Sequence, residues 1–197
     1  MRLVVGISGA SGAPYAERIL SFLRDEGAGL GIETHVVPSK MGRLVWSHEV
    51  PGTAIEDFGF PVWAPGDMTA PMASGSARFD AMVVAPCSGG ALSRIAHGTS
   101  SNLLGRAADV MLKERRKLVL VLRETPLSLV HIKNLEAVTL AGAMVLPAVP
   151  SFYSMPETRT ELIDTVTCRV LDQLGIENEL MRRWTGLRPR HQNMETL

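Results

Sequence analysis

Short apolar runs bounded by glycine or proline recur along the chain, and each predicts a buried β-strand. They occupy residues 3–7, 34–37, 81–85, 118–122 and 143–146. The runs are nearly continuous rather than alternating, a pattern typical of parallel strands that are covered on both faces. The pattern therefore predicts a central sheet that is mostly parallel.

Segments with helical spacing separate most of these runs. The first helix is predicted to begin near Ala13 and Pro14, because proline is tolerated in an opening turn, and apolar side chains then recur at helical spacing up to Leu23. Further helices are predicted over residues 40–47, 91–97, 103–114, 127–141 and 161–174. Strands that alternate with helices in this way predict an α/β protein, a three-layer sandwich.

The composition is that of one globular domain. The chain has 197 residues, of which 46% are hydrophobic and 20% charged, so we expect a single domain over residues 1–185 and a polar tail over residues 186–197. Basic and acidic residues number 20 each, which argues against a nucleic-acid partner or a membrane partner, since both select a cationic face. No apolar run approaches the roughly 20 residues that cross a bilayer.

The two cysteines, Cys87 and Cys168, lie far apart and lack the paired spacing of a zinc site. We predict that both are buried free thiols in a reducing cytoplasm. The first strand begins at Arg2, which leaves no room for a signal peptide, so we expect a cytoplasmic protein. Residues 51–76 are rich in Gly, Pro and Ala with little periodicity, and they predict a long loop used for function or assembly.

The glycine-rich turn after the first strand is the first candidate site. Residues 6–15 read GISGASGAPY and would present backbone N–H groups and small hydroxyls to an anion. The spacing matches neither the dinucleotide fingerprint nor the P-loop, so a phosphate or flavin contact and a bare tight turn both stay open. Ser39 and Ser88 follow the second and third strands, where they suit a polar ligand or simply cap the next helix.

The fourth apolar run ends in two adjacent charges, Arg123 and Glu124. Ligands of open parallel sheets bind outside the carboxyl ends of the strands, so these charges are predicted to face a site. Arg106, between apolar neighbours in the first turn of a helix, is predicted to meet an anion. His131 is predicted to be structural, whereas Tyr153 stays open between a packing and a functional role.

The sequence contains no motif for a nucleophilic serine site or for a metal site. There is no G-x-S-x-G elbow, and the five histidines show no metal-ligand spacing. The aspartates are scattered singly, so the acidic cluster that holds magnesium on a diphosphate is missing. We therefore expect no metal site.

Taken together, eight segments resemble the UbiX-like flavin prenyltransferase family, which includes the small B subunits of phenolic-acid decarboxylase systems. In chain order they are GISGASG (6–12), SK (39–40), SGS (74–76), PCS (86–88), RAAD (106–109), LKER (112–115), RETP (123–126) and PSFY (150–153). Each segment alone is weak evidence. Eight in order over residues 3–184 are highly specific.

The resemblance implies a flavodoxin-like or Rossmann-like subunit that assembles into a homododecamer and binds FMN at subunit interfaces. Members of the family join the dimethylallyl group of dimethylallyl monophosphate to N5 and C6 of reduced FMN without a metal. The prenylated FMN then passes to a UbiD-like decarboxylase.

The resemblance also implies a set of flavin contacts. They are Gly9, Ala10 and Ser11 in the first turn, Ser39, the run Ser88, Gly89, Gly90 and Ala91, and Arg106 near the FMN phosphate. Position 91 departs from the family pattern, because alanine stands where a hydroxyl residue is usual. We expect the loss of one hydrogen bond, worth about 0.5–1.5 kcal/mol.

A second set implied by the resemblance serves the prenyl donor. It comprises Lys113, Arg123, Tyr153 and Arg169 at the phosphate, the carboxylate of Glu49 near the same pocket and the aromatic ring of Trp184. Ser11 and Glu124 match the residues placed for proton transfer at flavin C6. Cations and a phenol fit this chemistry, because ionisation of an allylic phosphate leaves negative charge on the leaving group.

Two alternative functions stay open at this point. One is a non-catalytic FMN-binding subunit of a hydroxyarylic-acid decarboxylase complex. The other is a flavin-dependent cysteine decarboxylase, a related family whose P-x-M-N-x-x-M-W motif is not matched by PMASG at residues 71–75.

Overall fold

The computed structural model describes residues 1–186. Five strands, β1 Arg2–Ile7, β2 Glu33–Pro38, β3 Ala81–Cys87, β4 Lys117–Leu122 and β5 Met144–Pro147, alternate with six helices, α1 Ala13–Glu26, α2 Lys40–Glu49, α3 Gly89–Ala96, α4 Leu103–Lys113, α5 Leu129–Leu140 and α6 Arg159–Leu174. Every predicted strand and helix is present. Apart from Gly186, the predicted polar tail lies outside the described residues.

The five strands form one sheet in the order β2-β1-β3-β4-β5, and all neighbouring pairs are parallel. The predicted three-layer α/β class is confirmed, and the order is that of flavodoxin-like sheets. In this order the sheet grows in opposite directions from β1 and β3. A crevice therefore opens at the carboxyl ends of these two strands, where ligands of such sheets bind.

Alternate residues of the central strands enter two different cores. Val5 and Val83 pack with α1 and α6 on one face, whereas Val4 and Met82 pack with α3 and α4 on the other. Both faces of β1 and β3 are thus buried, which explains the continuous apolar runs in the sequence.

Capping side chains set the helix starts. Helix α3 begins at Gly89, two residues before the predicted start, because the Ser88 hydroxyl accepts a hydrogen bond from the Ala91 N–H at 3.2 Å. Helix α6 begins at Arg159 for a similar reason: Thr158 and Glu161 form a capping box.

The long loop over residues 51–76 is more ordered than its composition predicts. It contains the short 3₁₀ helices Ile55–Phe58 and Pro71–Ala73, and Val62 forms an isolated parallel bridge with Val36 of β2. The loop therefore extends the sheet edge.

Helix α5 carries apolar side chains on its outer face. Leu129, Val130, Ile132 and Leu140 are 50–81% exposed, and only Asn134 and Val138 of this helix are buried. None of the helices within residues 1–186 has the length and apolar character needed to cross a bilayer. Over the same residues, no group of three or more His, Cys, Asp or Glu side chains is arranged to hold a metal ion.

Candidate functional site

The buried side chain of Ser8 joins the carboxyl ends of β1 and β3. Its hydroxyl donates to the Pro86 carbonyl at 2.7 Å and accepts from the Ser88 N–H at 2.8 Å. These bonds fix the glycine-rich turn against the start of α3. Ser8 was not predicted as a site residue, although its position directly after the first strand is a signal of such a role.

The turn that follows presents unpaired backbone donors. Within residues 1–186, the N–H groups of Gly9, Ala10 and Ser11 donate to no protein acceptor. Gly12 has a φ of 118°, a conformation that favours glycine. Three successive free N–H groups at the β1/β3 crevice favour the ligand-binding alternative over a bare tight turn.

Ser39 and Ser88 both cap helices, as one of the two alternatives predicted. The Ser39 hydroxyl accepts from the Gly42 N–H at 2.9 Å, and Ser88 caps α3. The caps place both residues at helix N-termini beside the carboxyl ends of β2 and β3, where the partial positive charge of the helix favours an anion. The capping role and the ligand role are therefore compatible.

Glu49, from the end of α2, reaches the start of α1. Its Oε2 accepts from the N–H groups of Gly12 and Ala13 at 2.7 and 2.8 Å. Burial by itself raises the pKa of Glu49, but the Ser11 hydroxyl, these two N–H groups and the charge of Arg123 together lower it below its usual value. Glu49 is thus held as a carboxylate beside Ser11.

Arg123 and Glu124 point to different neighbours. Arg123 Nε donates to the Ser11 carbonyl at 2.8 Å, so its guanidinium joins the Glu49 group. Glu124 Oε2 accepts from the Gly89 N–H at 3.2 Å, at the start of α3. The structure therefore brings Ser11, Glu49 and Arg123 together and holds Glu124 beside Gly89, in the run for which flavin contacts are predicted.

His131 shares the space around Gly89 with Glu124. A Cβ added to Gly89 would lie 2.7 Å from Glu124 Oε2 and 2.9 Å from His131 Nε2. The Ser128 N–H donates to His131 Nδ1 at 3.2 Å, which is the structural role predicted for this histidine. Because Nδ1 accepts, the neutral ring carries its proton on Nε2, on the side of Glu124.

Tyr153, Arg169 and Trp184 form a third group on the C-terminal side. The rings of Tyr153 and Trp184 meet edge to face with centroids 5.7 Å apart. Arg169 Nη1 donates to Asp172 Oδ2 at 2.7 Å, and Arg183 binds the same carboxylate. Asp172 and Arg183 were not predicted. Asp172 forms an i,i+3 pair with Arg169, which carries no functional signal of its own, and Arg183 pairs with Asp172 from beyond the end of α6.

Two predicted cations, Lys113 and Arg106, form no hydrogen bond with these groups within residues 1–186. Lys113 ends α4 four residues before β4 begins, and its Nζ donates to Glu114 Oε1 at 2.5 Å. β4 rises about 16 Å from Lys117 to Leu122. Lys113 therefore lies near the amino end of this strand, whereas Arg123 lies at its carboxyl end. Arg106 donates to Asp109 Oδ2 at 2.8 Å and to the Ala73 carbonyl at 2.9 Å.

Both cysteines are fully buried, as predicted. Burial raises the pKa of Cys87 to about 12 and also raises the pKa of Cys168. Ala91 is buried too, so its methyl group packs in the core and its N–H is used by the Ser88 cap.

The residues at the crevice fit FMN. The free N–H groups of residues 9–11 suit the polar edge of a flavin or its phosphate. Gly9 also packs closely on α2, since an added Cβ would lie 2.4 Å from Met41 Cβ. A turn held this close to a helix offers backbone rather than side chains to a ligand.

Comparison with known proteins agrees with this site. Residues 1–171 match the family described as Flavoprotein. A probable UbiX-like flavin prenyltransferase of Bacillus subtilis (strain 168) is 42% identical over 189 residues, which cover 95% of this chain and 91% of that protein.

Two solved structures are also similar. One is a dodecameric FMN-dependent UbiX-like decarboxylase from Escherichia coli O157:H7, with 43% identity, a TM-score of 0.89, and coverage of 94% of this chain and 100% of that one. The other is AnUbiX (PadA1) in complex with FMN and dimethylallyl pyrophosphate, with 41% identity, a TM-score of 0.89, and coverage of 95% and 98%. With its fold, its crevice and these relatives in agreement, the chain belongs to the UbiX-like flavin prenyltransferase family.

Proposed function

We propose that this protein is a flavin prenyltransferase, which joins the dimethylallyl group of dimethylallyl monophosphate to N5 and C6 of reduced FMN and releases phosphate. The observation that carries the proposal is that the adjacent residues Arg123 and Glu124 contact different parts of the crevice. Arg123 joins the Ser11 and Glu49 group at the first turn, whereas Glu124 faces the start of α3. A phosphate-binding cation and a proton acceptor thus flank one crevice.

The flavin contacts are backbone groups and capped helix starts. Gly9, Ala10 and Ser11 would donate N–H groups to FMN, and the N-termini capped by Ser39 and Ser88 would add Gly89, Gly90 and Ala91 at the α3 start. Reduced FMN supplies the nucleophilic N5 and C6 atoms. The Ala91 N–H already donates to the Ser88 hydroxyl, so Ala91 would contribute no hydrogen bond to FMN.

The donor phosphate is bound by cations without a metal. Arg123, Arg169 and Lys113 would neutralise the charge that grows on the leaving phosphate, and the Tyr153 hydroxyl would donate a hydrogen bond to it. Trp184, edge to face with Tyr153, would cover the dimethylallyl group. Glu49 would hold Ser11 in place through the shared group at the start of α1.

Glu124 is the proton acceptor for the C6 position. Oε2 is held by the Gly89 N–H, whereas Oε1 has no hydrogen-bond partner in the part of the chain that the structure describes and could take up a proton. The Ser11 hydroxyl, which is hydrogen-bonded to Glu49, would be the second group for proton transfer. A positioned carboxylate of this kind contributes about 10²–10⁴-fold to rate.

The assembly is a homododecamer in this proposal. In the single chain, Lys113 lies near the opposite end of β4 from Arg123, so a neighbouring subunit would bring it to the crevice. The exposed apolar face of α5 supports such an interface.

The product would be handed to a UbiD-like decarboxylase in the cytoplasm. One domain over residues 1–185 would carry the whole activity.

The test is a mass measurement of the flavin. The purified protein is incubated anaerobically with reduced FMN and either dimethylallyl monophosphate or the diphosphate. We expect one five-carbon unit on the flavin with the monophosphate, and an unchanged flavin mass with both donors would contradict the proposal. Co-purification with a large decarboxylase subunit together with an unchanged flavin mass would favour the non-catalytic alternative.

A further inference from the structure

The segment after α6 returns to this helix and is fastened there by Arg183. The Arg183 guanidinium binds the Asp172 carboxylate through two hydrogen bonds, Nη1 to Oδ2 at 2.6 Å and Nη2 to Oδ1 at 2.8 Å. Nη2 also donates to the Asn178 carbonyl at 3.0 Å, and Asn178 Nδ2 donates to Asp172 Oδ1 at 3.2 Å. A bidentate arginine pair is geometrically specific as well as strong, so it fixes the path of residues 178–183.

The same carboxylate holds a second arginine. Arg169 Nη1 donates to Asp172 Oδ2 at 2.7 Å. The hydrogen bond from Arg183 is the largest cause that lowers the pKa of Asp172. Partial burial raises this pKa by a smaller amount, so the pKa lies below its usual value. Asp172 is therefore a carboxylate between two guanidinium groups, one on α6 and one on the returning segment.

The Arg183–Asp172 salt bridge also sets the position of Trp184. Trp184 directly follows Arg183, is 58% exposed and meets Tyr153 edge to face at an angle of 83°. Met181, two residues before Arg183, lies 4.0 Å from the Tyr153 hydroxyl. With so much of the indole in solvent, packing alone holds it weakly, and the Arg183 pair is the strong contact nearby.

We propose that Asp172 is a positioning residue for the prenyl donor. It aims the Arg169 guanidinium, whose other N–H groups meet no acceptor within residues 1–186 and could bind a phosphate, and through Arg183 it keeps Trp184 against Tyr153. One carboxylate thus sets both the phosphate end and the aromatic end of the donor pocket. This inference rests on the proposed function for the identity of the donor, but the geometry it invokes is measurable without any ligand.

The first experiment measures tryptophan fluorescence in the flavin-free protein. Trp46 is buried and Trp63 half-buried, so acrylamide quenching reports mainly on Trp184. The variant W184F measures the quenching that comes from Trp46 and Trp63. We expect Asp172→Asn and Arg183→Met each to raise the quenching constant toward that of free tryptophan. The matched control is Arg182→Met, since Arg182 lies on the same segment and forms no salt bridge within residues 1–186.

The second experiment measures steady-state kinetics. Loss of a charge-assisted pair should raise the KM for dimethylallyl monophosphate about tenfold in Asp172→Asn, with the Kd for FMN unchanged. Arg183→Lys keeps the charge but loses the fork, so we expect it to behave like Arg183→Met in quenching.

The two proposals fail separately. If the wild-type protein leaves the flavin unchanged, the proposed function is contradicted, and the quenching data still test the fastening. If the wild-type protein is active but Asp172→Asn and Arg183→Met match Arg182→Met in quenching and in KM, this inference is overturned. Arg183 is 45% exposed, so its substitution leaves the fold intact even if the Asp172 variant unfolds.

Discussion

Two adjacent residues at the end of β4 show how much of the site is decided side chain by side chain. Arg123 turns toward the first turn and binds the Ser11 carbonyl, whereas Glu124 turns toward the Gly89 N–H. The two side chains of this dipeptide thus contact different elements, so a single dipeptide can serve two substrates. At this scale, the proposed chemistry depends on which neighbour each charge meets.

Glu124→Gln should lower kcat by about a hundredfold or more with little change in FMN affinity. The amide keeps an oxygen that accepts the Gly89 N–H, but it no longer accepts a proton. Single-turnover conversion and flavin titration measure the two effects. Glu26→Gln, at the exposed end of α1, is the control, and an equal loss of activity in both variants would contradict the assignment.

Glu49 should make the stability of the protein depend on pH. Its folded-state pKa lies below the usual 4.5, so the carboxylate stabilises the fold above about pH 4.5 and this contribution is lost as the pH falls through the folded-state value. Glu49→Gln should therefore lower the free energy of unfolding at pH 7, and the difference should close on acidification. Urea titrations at several pH values measure this, with Glu17→Gln as control. A difference that does not change with pH would refute it.

At the level of elements, the site is built from helix starts that meet the ends of β1 and β3. Ser8 ties the two strand ends together, and Ser39 and Ser88 cap the following helices. The first turn packs closely on α2 at Gly9, and the N–H groups of residues 9–11 meet no acceptor within residues 1–186. The turn and α2 therefore act as one unit.

Gly9→Ala should push the first turn away from α2. The added Cβ would lie 2.4 Å from Met41 Cβ, and relief of such overpacking costs about 1–3 kcal/mol. We expect FMN affinity to fall at least tenfold, because the N–H groups of residues 9–11 move. Gly29→Ala is the control, since its Cβ would approach only the Glu26 carbonyl, at 3.5 Å. Equal FMN affinity in the two variants would exclude this role of the turn.

At the scale of the whole molecule, the single chain does not bring together all the residues predicted to bind the donor and the flavin. Lys113 ends α4 near the amino edge of the sheet, and Arg106 is paired with Asp109 and Ala73. The outward apolar side chains of α5 lie on the surface of the single chain. These features fit an active site that is completed between subunits.

Subunit complementation tests this arrangement. Lys113→Met and Glu124→Gln should each be inactive alone, but oligomers mixed from the two should recover part of the activity, because some interfaces then join an intact Lys113 to an intact Glu124. Mixtures are made by co-expression and assayed by flavin mass. Arg123→Met mixed with Glu124→Gln is the control, since both residues come from one chain and no interface is restored. Recovery in the control alone, or in neither, would contradict the shared site.

Most of the fold was predictable because its signals are local. Continuous apolar runs predicted the five strands, helical spacing predicted the six helices, and Ser39 and Ser88 stood where caps are expected. The helix boundaries differ from prediction where a cap or capping box decides, as at Gly89 and Arg159. The order inside the loop 51–76 was not predictable, because a bridge between Val36 and Val62 is a contact between distant residues.

The sequence by itself determined the class of fold, the family resemblance and the residue types at the strand ends, since hydrophobic periodicity and short motifs are properties of neighbouring residues. Only the tertiary structure decided which of those residues meet. It placed Glu49 on the N–H groups of residues 12 and 13, Glu124 and His131 around Gly89, and Asp172 between Arg169 and Arg183. Such contacts depend on how elements far apart in the chain pack together, and no local pattern records that packing.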